Sequence, residues 1–140
     1  MNNLDLSVSS FLKDGFNLKN HLINFLHINN DQLEKRLIHG VDDLAALHPG
    51  AFTKKNAGDF YEDEVGDAHL IDLASWHLNS FNYIADTLRL QQKFAYGKVL
   101  DFGGGIGTHA LAASFLQDVE HVWFVDLNPQ NRSFVEHRSK

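Results

Sequence analysis

The feature that most constrains this chain is the run Gly103-Gly104-Gly105-Ile106-Gly107, because of what stands on either side of it. Val99-Leu100-Asp101-Phe102 precedes it, an apolar run of strand length, and Thr108–Gln117 (THALAASFLQ) follows it, rich in Ala and Leu and read as a helix. His121–Leu127 (HVWFVDL) is a second strand, β-branched and aromatic. Asn128-Pro129 breaks it, with Pro129 placed as a first helical residue, and Gln130–Lys140 reads as a further helix beginning. Two apolar strands joined through a glycine turn and a helix predict a βαβ unit, with parallel strands and a right-handed crossover.

Ligands of such sheets bind beyond the carboxyl ends of the strands. That edge holds the glycine run and Asp126, which stands 23 residues after Gly103 at the tip of the second strand. Glycines suit a bend that a ligand approaches closely or that needs positive φ. The helix beginning near Thr108 offers unpaired amides to a polar or anionic group. A carboxylate at position 126 can accept hydrogen bonds from both hydroxyls of a ribose. The dinucleotide fingerprint Gly-x-Gly-x-x-Gly/Ala fails, since Thr108 occupies its sixth place counted from Gly103. A phosphate-binding P-loop fails for want of a lysine. The pattern that fits is Asp-x-Gly-x-Gly-x-Gly: Asp101, Gly103, Gly105 and Gly107.

On these residues the chain resembles the class I S-adenosylmethionine-dependent methyltransferases. GKVLDFGGGIGTHALAASF is similar to that family's first motif and HVWFVDLNP to its second, so the resemblance spans residues 97–129. It implies an α/β fold, in which an N-terminal helical region precedes the start of a Rossmann-like doubly wound parallel sheet. It implies S-adenosyl-L-methionine as cofactor. Asp101 and the backbone of Gly103, Gly104 and Gly105 would meet the methionine end, Gly107 would allow close packing at the helix start, Asp126 would hold the ribose, and Leu127 would pack on the adenine. The acceptor is expected to be a small molecule, with the helices ahead of the first motif as a lid.

Residues 1–96 read as that helical region and 97–140 as a partial cofactor-binding domain. Leu22, Ile23, Phe25, Leu26 and Ile28 form one stripe over Lys19–Ile28. Leu33, Leu37, Ile38, Val41, Leu44 and Leu47 form another over Asn30–Leu47, with Asn29 or Asn30 able to cap it, Gly40 weakening its middle and His48-Pro49-Gly50 ending it. Residues 51–61 read as a loop. One long helix is expected from Asp63 to Gln92, with a heptad-like seam of Leu70, Ala74, His77, Phe81, Ile84 and Leu88. Glu62, Asp63, Glu64 and Asp67 at its start match the helix dipole, the reading preferred over a metal site.

Methyl transfer needs alignment, a dry site and, for some acceptors, a base. His77, His69 and Tyr61 are the candidates. For each, a plain structural role competes: His77 as a hydrogen-bonded core residue, His69 as a surface residue, Tyr61 as an amphipathic cover. His109, two residues past the glycine run, faces either the cleft or solvent. None of the nine histidines pairs at the i, i+4 spacing of a zinc site and no cysteine accompanies them, so no metal is expected.

Composition narrows the class further. Twelve basic against 18 acidic residues give a net charge of −6, which disfavours a nucleic-acid binder and provides no polybasic membrane anchor. Without cysteine there is no disulfide framework. The first ten residues lack the charged-then-apolar order of a signal peptide, and no apolar run nears the roughly 20 residues of a membrane span, so a cytoplasmic protein is expected. Two strands make an incomplete sheet with a free edge, and no Gly cap or Pro stop follows Phe134-Val135. Either the chain is a fragment or another copy or chain segment completes it, so a homo-oligomer is expected. The alternative function is a truncated or degenerate relative whose helical seam serves as an oligomerisation or binding module without catalysis.

Overall fold

A computed structural model describes residues 6–47, 53–61 and 66–140. Helix α1 (Val8–Asp14) starts at Ser7, whose hydroxyl accepts from the Ser10 amide, and ends at a left-handed Gly15. Helices α2 (Leu18–Leu26) and α3 (Asn30–Leu47) follow, and Asn29 and Gln32 exchange side-chain and backbone bonds at the start of α3 in a reciprocal cap. Next come α4 (Lys54–Asp59), α5 (Gly66–Asn79) and α6 (Phe81–Phe94). The chain then alternates: β1 (Gly97–Phe102), α7 (Thr108–Ala113), β2 (Val119–Val125) and α8 (Pro129–Arg138). The two strands pair in parallel, Val99 beside Val122 and Asp101 beside Phe124. The fold is therefore α/β at the coarse level, mostly helical with a small parallel sheet. Among the described residues no helix is long and apolar enough to cross a membrane.

Three expectations need correction. Residues 54–59 are helical rather than a loop, because Thr53 and Asn56 close a capping box that starts a helix where no apolar period announces one. The long helix is two helices, broken at Ser80. There the Asn79 side chain bonds back to the Ser75 carbonyl and the Ser80 amide turns to the His77 carbonyl, so local polar groups interrupt the ladder. On α3, Leu33 and Leu37 are buried, but Ile38 and Leu47 are exposed, which narrows the stripe. The acidic start at 62–64, the His48-Pro49-Gly50 stop and the side chains of Val41 and Leu44 lie outside the described residues.

The seam of α5 and α6 is buried within the chain, divided between two core clusters. Leu70 and Ala74 pack with Leu18, Leu22, Leu33, Ile106 and Phe134. Ile84 and Leu88 pack with Phe11, Phe16 and Ala112, and Phe81 lies against them. The seam thus serves mainly as core, with Phe81 half-buried at its edge. Gly40, buried mid-helix in α3, lets α5 approach, since a β-carbon there would lie 3.0 Å from an Ile71 methyl.

The glycine run joins the halves. Ile106 sits in the first cluster, and α7 carries Ala112 into the second. Arg138, at the end of α8 and 2% exposed, donates to the carbonyls of Ile106 (2.7 Å) and Gly15 (3.1 Å). Gly107 has φ +75°, and a β-carbon on it would lie 2.6 Å from a Val135 methyl, so α7 starts directly against α8. Gly107→Ala is expected to cost roughly 2–4 kcal/mol from left-handed strain plus overpacking. Denaturant unfolding of Gly107→Ala with and without Val135→Ala checks this: the second change should restore part of the loss, and strictly additive losses would refute the contact.

Candidate functional site

The site is built at the carboxyl end of the two strands. Asp126 follows β2 directly, and its carboxylate turns back onto the glycine run. Its Oδ2 accepts from the Gly105 amide at 2.9 Å, and its Oδ1 accepts from the Asn128 amide at 2.8 Å and from Asn131 Nδ2 at 3.3 Å. Arg132 holds the same turn from outside by donating to the carbonyls of Asp126 and Leu127. Asn128 caps α8 through the Gln130 amide and donates to the Gly66 carbonyl, which ties the start of α5 to the end of β2.

Asp101 reaches the same loop from β1. A β-carbon on Gly104 would lie 2.6 Å from Asp101 Oδ2, so only glycine admits this carboxylate. The two acids thus meet adjacent loop residues, Gly104 and Gly105. Burial pushes the Asp101 carboxyl above the usual carboxylate range; the nearby His109 opposes that shift, and the Asp126 charge adds to it. Although the Ala110 amide bonds to the carboxyl group, Asp101 Oδ2 is enclosed with no hydrogen-bond partner among the described residues. So are Asn131 Oδ1 and His69 Nδ1, both on residues beside Asp126. A β-carbon on Gly103 would meet nothing within 4 Å, and Leu127 is 50% exposed, so the loop is open on that side. Gly105 faces the other way, where its β-carbon would lie 2.9 Å from Leu73 of α5.

The bonds at Asp126 limit the acceptor capacity it keeps for a ribose. A carboxylate offers about four acceptor positions. Oδ1 already takes two bonds and Oδ2 one, so one position remains and a second hydroxyl would have to displace the Gly105 amide.

The candidate bases separate. His69, expected at the surface, is half-buried on α5. Burial lowers its pKa, with the Asp126 and Asp72 charges opposing, and its ring stands edge-on to Tyr61 at 5.1 Å between centroids. Tyr61, His69 and Asp126 are therefore brought together. His77 lies apart, in the core, with Nδ1 2.9 Å from the Leu73 carbonyl, to which it donates as the neutral ring. His109 links helices: the Thr87 hydroxyl donates to the Ile84 carbonyl and so accepts from His109 Nε2 at 2.7 Å, while Gln91 donates to the His109 carbonyl. Leu73, Asn131 and Arg138 carry no sequence signal for this site; Asn128, an Asn ahead of Pro, does.

A cleft of about 790 Å³ lies elsewhere, among α1, α2, α3, α5 and α6, with Lys13, Lys19, Leu37 and Phe81 in its walls. Its Lys19 is tied to Glu34 at 2.6 Å. Among the described residues no group of three or more His, Asp or Glu side chains is arranged to hold a metal ion. In comparisons with known proteins, the chain matches no family model, no curated protein and no solved structure.

Burial holds His77 at a pKa of about 4, against 6.5 when free. The unfolded chain therefore takes up a proton that the folded chain refuses between these values. Stability from this site is complete above pH 6.5 and falls as pH drops, by up to roughly 3 kcal/mol at pH 4. Denaturation midpoints measured from neutral pH to pH 4 should fall less steeply for His77→Gln than for the wild type. Identical profiles would refute a buried neutral ring.

Proposed function

We propose that the Gly103–Gly107 loop, Asp101 and Asp126 form a Rossmann-like half-site for S-adenosyl-L-methionine, and that the chain serves methyl transfer to a small-molecule acceptor. The observation that carries this reading is the meeting of two carboxylates on adjacent residues of one glycine loop, with Asp101 Oδ2 enclosed and unpartnered. The resemblance of residues 97–129 supports it.

The residues present fit the group. Asp101 Oδ2 lacks a partner among the described residues, and the ammonium of an amino-acid end would satisfy it through a charge-assisted bond once a shift of the loop at Gly104 admits the ligand. Asp126 keeps one acceptor position for a ribose hydroxyl, and Leu127 offers an exposed apolar side chain to a base. Bound there, the cofactor would supply an electrophilic methyl carbon on a sulfonium. The protein's own task is alignment and the exclusion of water. Leu73 on α5 contributes by lying over the loop at Gly105. His69, with its pKa lowered by burial, is neutral near pH 7 and can take a proton from an acceptor that must lose one. Tyr61 beside it limits the ring's rotation.

Calorimetric titration with S-adenosylhomocysteine tests the reading. The wild type should release heat saturably. Asp101→Asn should weaken binding about tenfold, or ~1.4 kcal/mol, with thermal stability equal or higher, since the change neutralises an enclosed carboxylate. No heat from the wild type, or equal affinity in the variant, would refute the assignment.

A further inference from the structure

Helix α7 packs on one face of the sheet, and among the described residues nothing covers the side chains of the other face. The register sets Lys98 beside His121, Leu100 beside Trp123 and Phe102 beside Val125 on that face, and all six side chains are exposed. Phe102 is 81% exposed, Leu100 59%, Trp123 47% and Val125 43%. The His121 and Trp123 rings touch, with centroids 4.2 Å apart, as residues two apart on one strand face do. Parallel sheets are ordinarily covered on both faces, because their strands carry apolar side chains on each. Here the sequence runs VLDF and VWFV meet that requirement on one side only.

We propose that this face is an interface between two copies of the chain, stacked sheet against sheet about a two-fold axis. The area supports a pair. Weighted by exposure, the four apolar side chains present on the order of 400 Å². Lys98 and His121 at the rim bring each copy to on the order of 600 Å², somewhat below the ~800 Å² that each partner gives to a standard interface. A pair of this size lies at the low end of specific interfaces, where association is reversible. The arrangement of charge selects the orientation. Two-fold antiparallel stacking lays Lys98 of one copy over Phe102 of the other, a favourable cation–aromatic contact, and keeps the two Lys98 side chains apart. Parallel stacking about a two-fold axis would instead lay Lys98 of one copy over His121 of the other, without that contact. The Leu100–Trp123 pair lies at the centre and meets its own copy in the antiparallel case. The pairing closes at two because each copy has one such face.

Sedimentation velocity over low to high micromolar concentration tests this. The wild type should show a reversible monomer–dimer equilibrium. Phe102→Glu should raise the dissociation constant at least about tenfold, with the far-ultraviolet circular dichroism unchanged, because the side chain is exposed. Lys98→Glu, the second variant, should weaken the dimer several-fold. Ile38→Glu, on the equally exposed but distant surface of α3, should change nothing. A wild type that stays monomeric throughout, open-ended assembly, or equal loss from Ile38→Glu and Phe102→Glu would overturn the proposal.

Discussion

Arg138 is enclosed at the end of α8, and among the described residues its guanidinium bonds to uncharged oxygens: the carbonyls of Ile106 and Gly15, and the Thr108 hydroxyl at 3.4 Å. Burying a cation without a carboxylate is costly, so several weaker terms must combine to hold it. Gly15 is the C-terminal cap of α1, where the helix presents its negative end. The Phe134 ring lies 5.7 Å from the guanidinium carbon and adds a cation–aromatic contact. Burial lowers the pKa to about 10, which leaves the group charged at neutral pH. The result is a bracket that spans the sequence, joining α1 at one end of the chain to the glycine loop and α8 at the other.

The loop so held is contacted at Gly104, Gly105 and Gly107 and open at Gly103. Val135 abuts Gly107, Leu73 abuts Gly105, and Asp101 fills the space at Gly104. Asp126 draws in the Gly105 amide. Each contact exists because a glycine leaves room, so the sequence run is a packing requirement as well as an opening for a ligand. This dual role explains why Asp126 is only partly free: most of its acceptor capacity shapes the loop that a ligand would enter.

Much of this was legible in the sequence. Short apolar and β-branched runs marked both strands, the spacing of Leu33 and Leu37 marked α3, and Asn128-Pro129 announced the cap and first residue of α8. The break at Ser80 was not legible, because Leu70, Ala74, Ile84 and Leu88 keep the same spacing across it while serving two different clusters. Helix α4 was hidden because only Thr53 and Asn56 specify it, and no apolar stripe does. For the site, the positions of Asp101 and Asp126 on one loop could be read from strand ends and glycine spacing. The bonds that occupy Asp126, the approach of His69 and the bracket at Arg138 could not, since each depends on how α5 and α8 pack. The run VLDF suggests a strand buried on both faces, yet Leu100 and Phe102 are exposed, because the described chain packs a helix on one side of the sheet alone.

The most direct test of the proposed cofactor site is a map of amide chemical-shift changes on adding S-adenosylhomocysteine to the labelled protein. The account expects the largest changes at Gly103, Gly104 and Leu127, on the open side of the loop, with smaller ones at Gly105 and His69. Changes confined to the cleft around Lys13, Leu37 and Phe81, or no localised change at saturating ligand, would contradict it.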